Sequence, residues 1–215
     1  MLNIARLFLA LRESLKELEA FYKEIEKQAT SILWPSIRPY GGMQFEYVEC
    51  LLPKYLSKAV FKGRMLPNHE SIVIKFTSSY CVDAHRLLEK AGLAPRLRYF
   101  SGNDEAFKKP GGLEMVVMDF VEEASESRLT AQGKEDVQRA INVLHDAGYV
   151  FGDLREANIL KLPNGHALLV DLDWSGKEGE VFYPMGLNTE IGWPTGSGAG
   201  MPIKKEHDLF MLQRL

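Results

Sequence analysis

Apolar residues recur at alternating spacings of four and three over residues 2–30. The stripe consists of Ile4, Phe8, Leu11, Leu15, Leu18, Tyr22, Ile25 and Ala29. This heptad spacing predicts a long amphipathic helix, because it places all of these side chains on one face. Two prolines and two glycines then interrupt the pattern and mark the end of a first domain, 1–40. The stripe either packs onto the rest of the chain or self-associates as a coiled coil.

The next part of the chain, 41–121, is rich in predicted strands and contains one predicted helix. Alternating and β-branched residues predict strands over 45–51, 59–63, 71–76 and 114–121, and the helix spans 80–91. Pro67-Asn68 predicts the turn between the second and third strands, and Gly92 ends the helix. An acidic segment, 122–128, is expected to be a solvated connector.

Helices return in the last part of the chain, 122–215. A helix is predicted over 131–147, and another begins near Lys204. Between them lies a segment rich in glycine and proline, 177–202. A loop of that length in a compact domain is usually functional.

Residues 158–171 predict a β-hairpin whose turn is Asn164-Gly165. With a two-residue type I′ turn, Asn158 faces Asp171, so an amide oxygen and a carboxylate lie side by side at the open end. Asp153 brings a third oxygen from the loop just before the hairpin. Hard oxygen ligands with open positions suit a Mg²⁺ ion that carries substrate phosphates, which predicts a nucleotide site.

Composition narrows the class of protein. The chain has 215 residues, 46% hydrophobic and 26% charged, which is ordinary for a globular protein. A net charge of −3 argues against binding to nucleic acid or to an anionic membrane. Two cysteines do not form a disulfide framework, and no apolar run approaches the roughly 18 residues that span a bilayer. We expect a cytoplasmic or nuclear protein.

Four segments, in order, resemble the motifs of the protein-kinase-like superfamily. The segment 150–160, Val-Phe-Gly-Asp-Leu-Arg-Glu-Ala-Asn-Ile-Leu, resembles the catalytic loop, and 169–176, Leu-Val-Asp-Leu-Asp-Trp-Ser-Gly, resembles the Asp-Phe-Gly element. Upstream, 72–76 resembles the Val-Ala-Ile-Lys strand, and 115–121 is similar to the strand before the hinge. The helix from Lys205 is similar to one in small atypical kinases of fungal, aminoglycoside or choline kinase type.

The resemblance covers residues 44–215 and implies an α+β, two-lobed protein-kinase-like fold. A β-rich N-lobe, 41–121, and a minimal helical C-lobe, 122–215, would follow the long N-terminal helix. The implied activity is that of an ATP- and Mg²⁺-dependent phosphotransferase, a serine/threonine protein kinase-like enzyme acting on a hydroxyl.

The resemblance also implies a role for each matched residue. Asp153 orients the acceptor hydroxyl and accepts its proton, and Arg155 stabilises charge near the γ-phosphate. Asn158 and Asp171 hold Mg²⁺, and Lys75 reaches the α- and β-phosphates. Backbone groups around Asp119 and Val121 bind the adenine edge. Asp208 anchors the backbone of the catalytic loop. Asp173 is expected to face solvent, to bond locally or, as a further alternative, to assist the metal.

The chain departs from the kinase pattern at several positions. Phe151 replaces the usual histidine and fills an apolar slot, and Gly152 replaces the arginine that reads a phosphorylated activation loop. No glycine-rich loop precedes Lys75, where 52–57 reads Leu-Pro-Lys-Tyr-Leu-Ser. The helix 80–91 has no obvious glutamate to pair with Lys75, and Asp83 is the nearest candidate.

The missing glycine-rich loop and the uncertain glutamate support a second reading, a pseudokinase that acts as a binding or scaffold module. In that reading the N-terminal helix contacts a partner protein or a second copy of the chain. A kinase for a small molecule of the aminoglycoside or choline type is a variant of the first reading.

Overall fold

A computed structural model describes residues 8, 10–20, 43–53, 59–105, 107, 109, 112–123 and 128–215. The chain divides into two compact units, Met1–Arg38 and Pro39–Leu215. In the first unit, residues 8 and 10–20 are helical, in agreement with the predicted helix. The remainder of that helix, over 2–30, lies outside the described residues, so its length and its packing partner stay predictions.

The second unit contains a five-stranded antiparallel sheet with the spatial order β1-β2-β3-β5-β4. Its strands are β1 (Gln44–Cys50), β2 (Ala59–Leu66), β3 (Ser71–Thr77), β4 (Leu97–Phe100) and β5 (Glu114–Asp119). The central strand β3 buries Ile72, Ile74 and Phe76 on one face. Because side chains alternate along a strand, Lys75 and Thr77 share the opposite face.

Two features of the sheet differ from the prediction. Strand β2 continues past Gly63 to Leu66, because this glycine makes room for the Ile74 side chain and for Glu46 O and does not end the strand. Strand β4 was not predicted, since its four residues, Leu-Arg-Tyr-Phe, are half-buried and show no alternation.

Three α-helices accompany the sheet among the described residues of this unit. They are α1 (Val82–Lys90), α2 (Ala131–Asp146) and α3 (Lys205–Leu212). The hydroxyl of Thr130 caps α2 by accepting a hydrogen bond of 2.9 Å from Gly133 N. The first residues of these helices agree with the predicted starts to within two residues.

A second core forms between α2 and the segment that resembles the catalytic loop. It includes Val137, Ile141 and Leu144 of α2 together with Phe151, Leu154, Ile159, Leu169 and Leu172. Phe151 is fully buried, which confirms that a phenylalanine fills an apolar slot at this position. This packing fixes the loop on both sides of Asp153.

The predicted hairpin is present, but the register predicted for its two strands was wrong by one residue. Strands β7 (Ile159–Lys161) and β8 (Ala167–Leu169) pair Ile159 with Leu169, and Val170 N donates to Asn158 O. Asn158 therefore faces Val170 and not Asp171.

The turn of this hairpin explains the shift in register. Gly165 N donates to Leu162 O, Gly165 has φ 85°, and Asn164 has no positive φ. A type I′ turn needs positive φ at both central residues, so it is excluded. Pro163 instead takes the second position of a type I turn, where its ring presets φ, and Gly165 forms the left-handed residue of a three-residue loop.

The remaining strands form a short pair, β6 (Tyr149–Val150) with β9 (Gly176–Lys177), which was not predicted. The predicted long loop, 177–202, follows, and an isolated bridge joins Phe182 to Pro202. In the described parts of the chain, no helix has the length and apolar character needed to cross a bilayer. The mixed fold with a five-stranded antiparallel sheet agrees with the predicted α+β class, while the two-lobed arrangement and the domain bounds stay predictions.

Candidate functional site

Lys75 of β3 lies between two carboxylates that come from the segment after β8. Its ammonium group forms an ion pair with Asp171 Oδ1 and lies 2.6 Å from Asp173 Oδ1. The Lys75 side chain is only 12% exposed, so these pairs are partly shielded from water. Of the alternatives expected for Asp173, exposure to solvent is wrong, because this carboxylate pairs with Lys75 and lines the site.

The predicted partner on the helix is also wrong. Asp83 lies on the exposed side of α1, and both ion pairs of Lys75 are made with Asp171 and Asp173. The group that approaches Lys75 from the start of α1 is the ring of Tyr80, with the ammonium 5.8 Å from its centroid.

Asp171 has a left-handed backbone conformation, with φ 67°. Such a conformation is uncommon for a residue with a side chain, and it is often found at functional sites. Here it turns the chain so that the side chain of Leu172 packs in the core and does not line the site. Leu172 O then accepts a hydrogen bond of 3.1 Å from Cys81 N, which ties the start of α1 to this turn.

Asp153 is held by two neighbours in the same loop. Arg155 donates to both carboxylate oxygens, with 2.5 Å from Nε to Oδ1 and 2.6 Å from Nη2 to Oδ2. The amide nitrogen of Asn158 donates to Asp153 O at 2.8 Å and to Oδ2 at 2.9 Å. Asp153 is 4% exposed, so the loop presents one oriented carboxylate in a sheltered place.

Asp208 of α3 anchors the backbone of this loop, as the resemblance implied. Its oxygens accept hydrogen bonds of 2.8 Å from the backbone N–H groups of Phe151 and Gly152. His145 Nε2 of α2 lies 3.0 Å from Asp208 Oδ2. The buried carboxylate thus joins α2, α3 and the loop.

A cavity of about 200 Å³ opens in front of these groups. Its walls include Asp153, Arg155, Asp171 and Asp173, together with Trp174, Gly186, Asn188, Ile191 and Trp193 from the following loop. Asn158 does not line this cavity. The structure therefore brings three of the predicted site residues, Asp153, Arg155 and Asp171, to one space.

An aromatic wall forms one side of the cavity. The ring centroids of Trp174 and Trp193 are 5.8 Å apart, and the Arg155 guanidinium carbon lies 5.8 Å from the Trp193 centroid. Trp193 Nε1 donates to Asn188 O at 2.8 Å, which fixes the indole. Sequence reasoning missed Trp193 because it lies 38 residues after Arg155 in a segment without regular structure.

The charges of the site shift several pKa values. Burial raises the pKa of Asp173 to about 6; the Lys75 charge opposes this shift, and the Asp171 charge adds to it. Burial also raises the pKa of Tyr80, and the charges of Asp173 and Asp171 raise it further. The hydrogen bond to Asp153 raises the pKa of the Arg155 guanidinium.

The predicted adenine-binding groups lie at the end of β5. Asp119 forms an ion pair with Arg98 Nε, and its backbone N–H donates to Arg96 O at 2.9 Å. Phe120 N donates to Ser71 O at 3.0 Å, and the half-buried Val121 follows it. The role of Asp119 and Val121 stays a prediction.

Of the two residues predicted to hold Mg²⁺, Asp171 lines the cavity and Asn158 does not, and one carboxylate there fits Mg²⁺ when substrate phosphates and waters complete its shell. Asp171 and Asp173 approach the same ammonium group, and both line the cavity with Asp153. Among the described residues, no three His, Cys, Asp or Glu side chains form a cluster that could hold a metal by themselves. Mg²⁺ in nucleotide sites commonly uses only one or two carboxylates, so such a cluster is not required.

Comparison with known proteins places the fold. No protein-family model and no curated protein matches the chain. Solved structures do match, among them the kinase PK-1 of the Cydia pomonella granulovirus, with 19% sequence identity and a TM-score of 0.60. The match covers 78% of this chain, which spans 65% of the viral kinase. The chain therefore has a protein-kinase-like fold.

Proposed function

We propose that the protein is an ATP- and Mg²⁺-dependent phosphotransferase that transfers the γ-phosphate to a hydroxyl, with serine or threonine side chains as the first acceptors to test. One observation carries this proposal. Asp153, Arg155 and Asp171 line a single cavity, and Lys75 is ion-paired with Asp171 at its edge. Phosphoryl transfer needs little beyond positioning and charge neutralisation, and these residues supply both.

Asp153 has the role of the base. A carboxylate has about four lone-pair sites, of which Arg155 and Asn158 use three. One site is left to accept a hydrogen bond from the acceptor hydroxyl. As the hydroxyl oxygen bonds to the γ-phosphorus and the bond to the ADP oxygen breaks, the hydroxyl proton passes to Asp153.

Arg155 and Lys75 have the role of neutralising phosphate charge. The Arg155 guanidinium is fixed between Asp153 and Trp193, beside the place where the γ-phosphate must meet the acceptor. Lys75 is assigned to the α- and β-phosphates. Asn158 and Asp171 are the residues assigned to Mg²⁺, which when bound offsets negative charge on the β- and γ-phosphates.

The alternative is a pseudokinase that binds nucleotide or a partner without transferring phosphate. It is favoured by the contacts of Lys75 and Asp153, which are both ion-paired within the chain. The two readings differ in one measurable property, which is whether the γ-phosphate of ATP is transferred to an acceptor.

The test combines binding and transfer. The melting temperature is measured with ATP, with ATP and Mg²⁺, and with neither, and γ-labelled ATP is then offered with a degenerate Ser/Thr peptide mixture and a panel of small alcohols. Wild type should transfer label, and Asp153→Asn should bind ATP without transferring it. ATP stabilisation without transfer to any acceptor would favour the pseudokinase, and no ATP effect at all would refute the nucleotide site.

A further inference from the structure

We propose that Asp173 is a positioning residue that aims Lys75 at the nucleotide, a task that a helix carboxylate would otherwise perform. This inference rests on the proposed function and concerns the same site. It assigns to Asp173 a role that was not among those expected from the sequence.

The first support is the way in which Asp173 is held. One oxygen lies 2.6 Å from Lys75 Nζ, and the other lies 3.0 Å from the hydroxyl of Thr77. Lys75 and Thr77 are two residues apart on β3, so they project from the same face of the strand. Asp173 therefore bridges two neighbouring side chains of a central strand, and this arrangement fixes both the carboxylate and the ammonium.

Thr77 is well placed to orient this carboxylate. It is buried, and its hydroxyl also lies 2.9 Å from Ser79 O and accepts from Ser79 N at 3.4 Å. A hydroxyl has one proton, so it donates either to Asp173 or to Ser79 O. When it donates to Asp173, the two Asp173 oxygens are both engaged, and the lysine contact has a single geometry.

The second support is the side of the site that faces α1. Asp83 is exposed and is not ion-paired with Lys75, and the contact from this side is the aromatic face of Tyr80. The Tyr80 hydroxyl lies 2.5 Å from His85 Nδ1, so the ring is fixed against the helix. The segment just before α1 thus places an aromatic ring beside Lys75, while the charged partner, Asp173, comes from the segment after β8.

The third support is that Asp171 and Asp173 have separate roles. Asp171 is assigned to the metal, so a lysine held by Asp171 alone would share its partner with Mg²⁺. A buried cation without a partner is strongly unfavourable, because its lost hydration is not replaced. Asp173 keeps Lys75 paired, and Lys75 then does not depend on the position of α1.

The experiment measures the affinity for a fluorescent ATP analogue at saturating Mg²⁺ in the full chain. We expect Asp173→Asn to weaken binding about tenfold or more, which corresponds to one charge-assisted hydrogen bond. Thr77→Val, which removes only the orienting hydroxyl, should weaken binding a few-fold. Asp83→Asn is the matched control, and its affinity should equal that of wild type.

Two further readouts separate positioning from other roles. In a Lys75→Met background, Asp173→Asn should cause little additional loss, because the two residues act as one unit. The Mg²⁺ concentration for half-maximal binding should shift in Asp171→Asn but not in Asp173→Asn. Circular dichroism and melting temperature verify that each variant is folded, and Thr77→Val keeps the test valid if Asp173→Asn does not fold.

The inference is overturned if Asp173→Asn or Thr77→Val binds the analogue as wild type does. It is also overturned if Asp173→Asn shifts the Mg²⁺ midpoint as Asp171→Asn does, since Asp173 would then be a metal ligand. Failure of the proposed function has a different signature: wild type itself would not bind the analogue with Mg²⁺, and the inference would fall with it.

Discussion

Asp208 Oδ1 accepts a hydrogen bond of 2.8 Å from the backbone N–H of Gly152, which lies 56 residues earlier in the chain. The other Asp208 oxygen accepts from Phe151 N at 2.8 Å. These two bonds satisfy backbone donors of a buried loop just before Asp153, so the carboxylate determines where that loop lies.

Replacing Asp208 by asparagine should destabilise the protein. Whichever way the amide is oriented, one of the two backbone N–H groups would face its NH₂ and lose its acceptor. We expect a loss of about 2–4 kcal/mol in the free energy of unfolding, measured by urea denaturation. Glu206→Gln is the control on the same helix, since Glu206 is exposed, and an equal loss in both variants would contradict the anchoring role.

Gly152 should tolerate alanine less well than Gly179 does. Both have positive φ, 85° and 89°, but an added Cβ at Gly152 would lie 3.0 Å from Trp174 O and from Ile203 Cδ1. At Gly179 an added Cβ would meet nothing within 4 Å. We expect Gly179→Ala to cost about 1 kcal/mol from backbone strain and Gly152→Ala to cost at least about 2 kcal/mol. Equal losses in the free energy of unfolding, measured by thermal and urea unfolding, would mean that the neighbours of Gly152 shift to accommodate the added Cβ.

Arg155→Lys should lower phosphoryl transfer while leaving ATP affinity nearly unchanged. Arg155 donates two parallel hydrogen bonds to Asp153 and lies against Trp193, and a lysine cannot reproduce either contact. We expect a 10- to 100-fold lower rate, about 1.4–2.7 kcal/mol in the barrier, in a single-turnover assay. Arg86→Lys on the exposed side of α1 should behave as wild type. An unchanged rate in Arg155→Lys would contradict a role of Arg155 in phosphoryl transfer.

His85 should make the protein less stable in mild acid. Its Nε2 lies 2.7 Å from Pro95 O, which can only accept, so Nε2 carries the proton and Nδ1 accepts from the Tyr80 hydroxyl. Burial holds the pKa of His85 below its ordinary value, and the hydrogen bond to Pro95 O opposes that shift. The folded-state pKa is therefore below the unfolded value of about 6.5. The unfolded chain binds the proton first, so this contribution to stability is complete above that pH and is lost as the pH falls.

The check is the free energy of unfolding at pH 7.5 and pH 5.5. Wild type should lose stability over this range through His85 and also through His207, whose pKa burial lowers as well, while Asp173, whose pKa is raised to about 6, takes up a proton in the folded state and offsets part of that loss. His85→Gln should show a smaller pH dependence, and the exposed His69→Gln should retain that of wild type. An identical pH dependence in all three proteins would contradict the assignment.

Local patterns were sufficient to predict most of the elements. The alternation in β3 and the helical spacing in α2 each reflect burial of one face, which is visible in a single segment. The register of the hairpin was wrong because Pro163 favours a type I turn and thereby moves the strands by one residue. A one-residue shift cannot be read from the alternation of two three-residue strands.

The contacts of the site were harder to predict because they are distant in sequence. Asp153, Asn158 and Arg155 lie within one loop, and their proximity follows from the motif. The pair of Lys75 and Asp173 spans 98 residues, and nothing in the sequence near Asp173 distinguishes it from a solvent-facing carboxylate. Its role depends on the packing of strand β3 against the segment after β8, and this packing exists only in the folded chain.

The small volume in front of Asp153 limits what it can enclose. At about 200 Å³ it lies below the roughly 300–1,000 Å³ of sites that surround a whole ligand. Under the proposed function, it would hold only the reacting end of the nucleotide and the alcohol group that meets it, and the purine and the body of the acceptor would be recognised outside these walls. Inhibitors confined to this space would consequently be compact, polar molecules that compete with the acceptor alcohol and leave the purine position open.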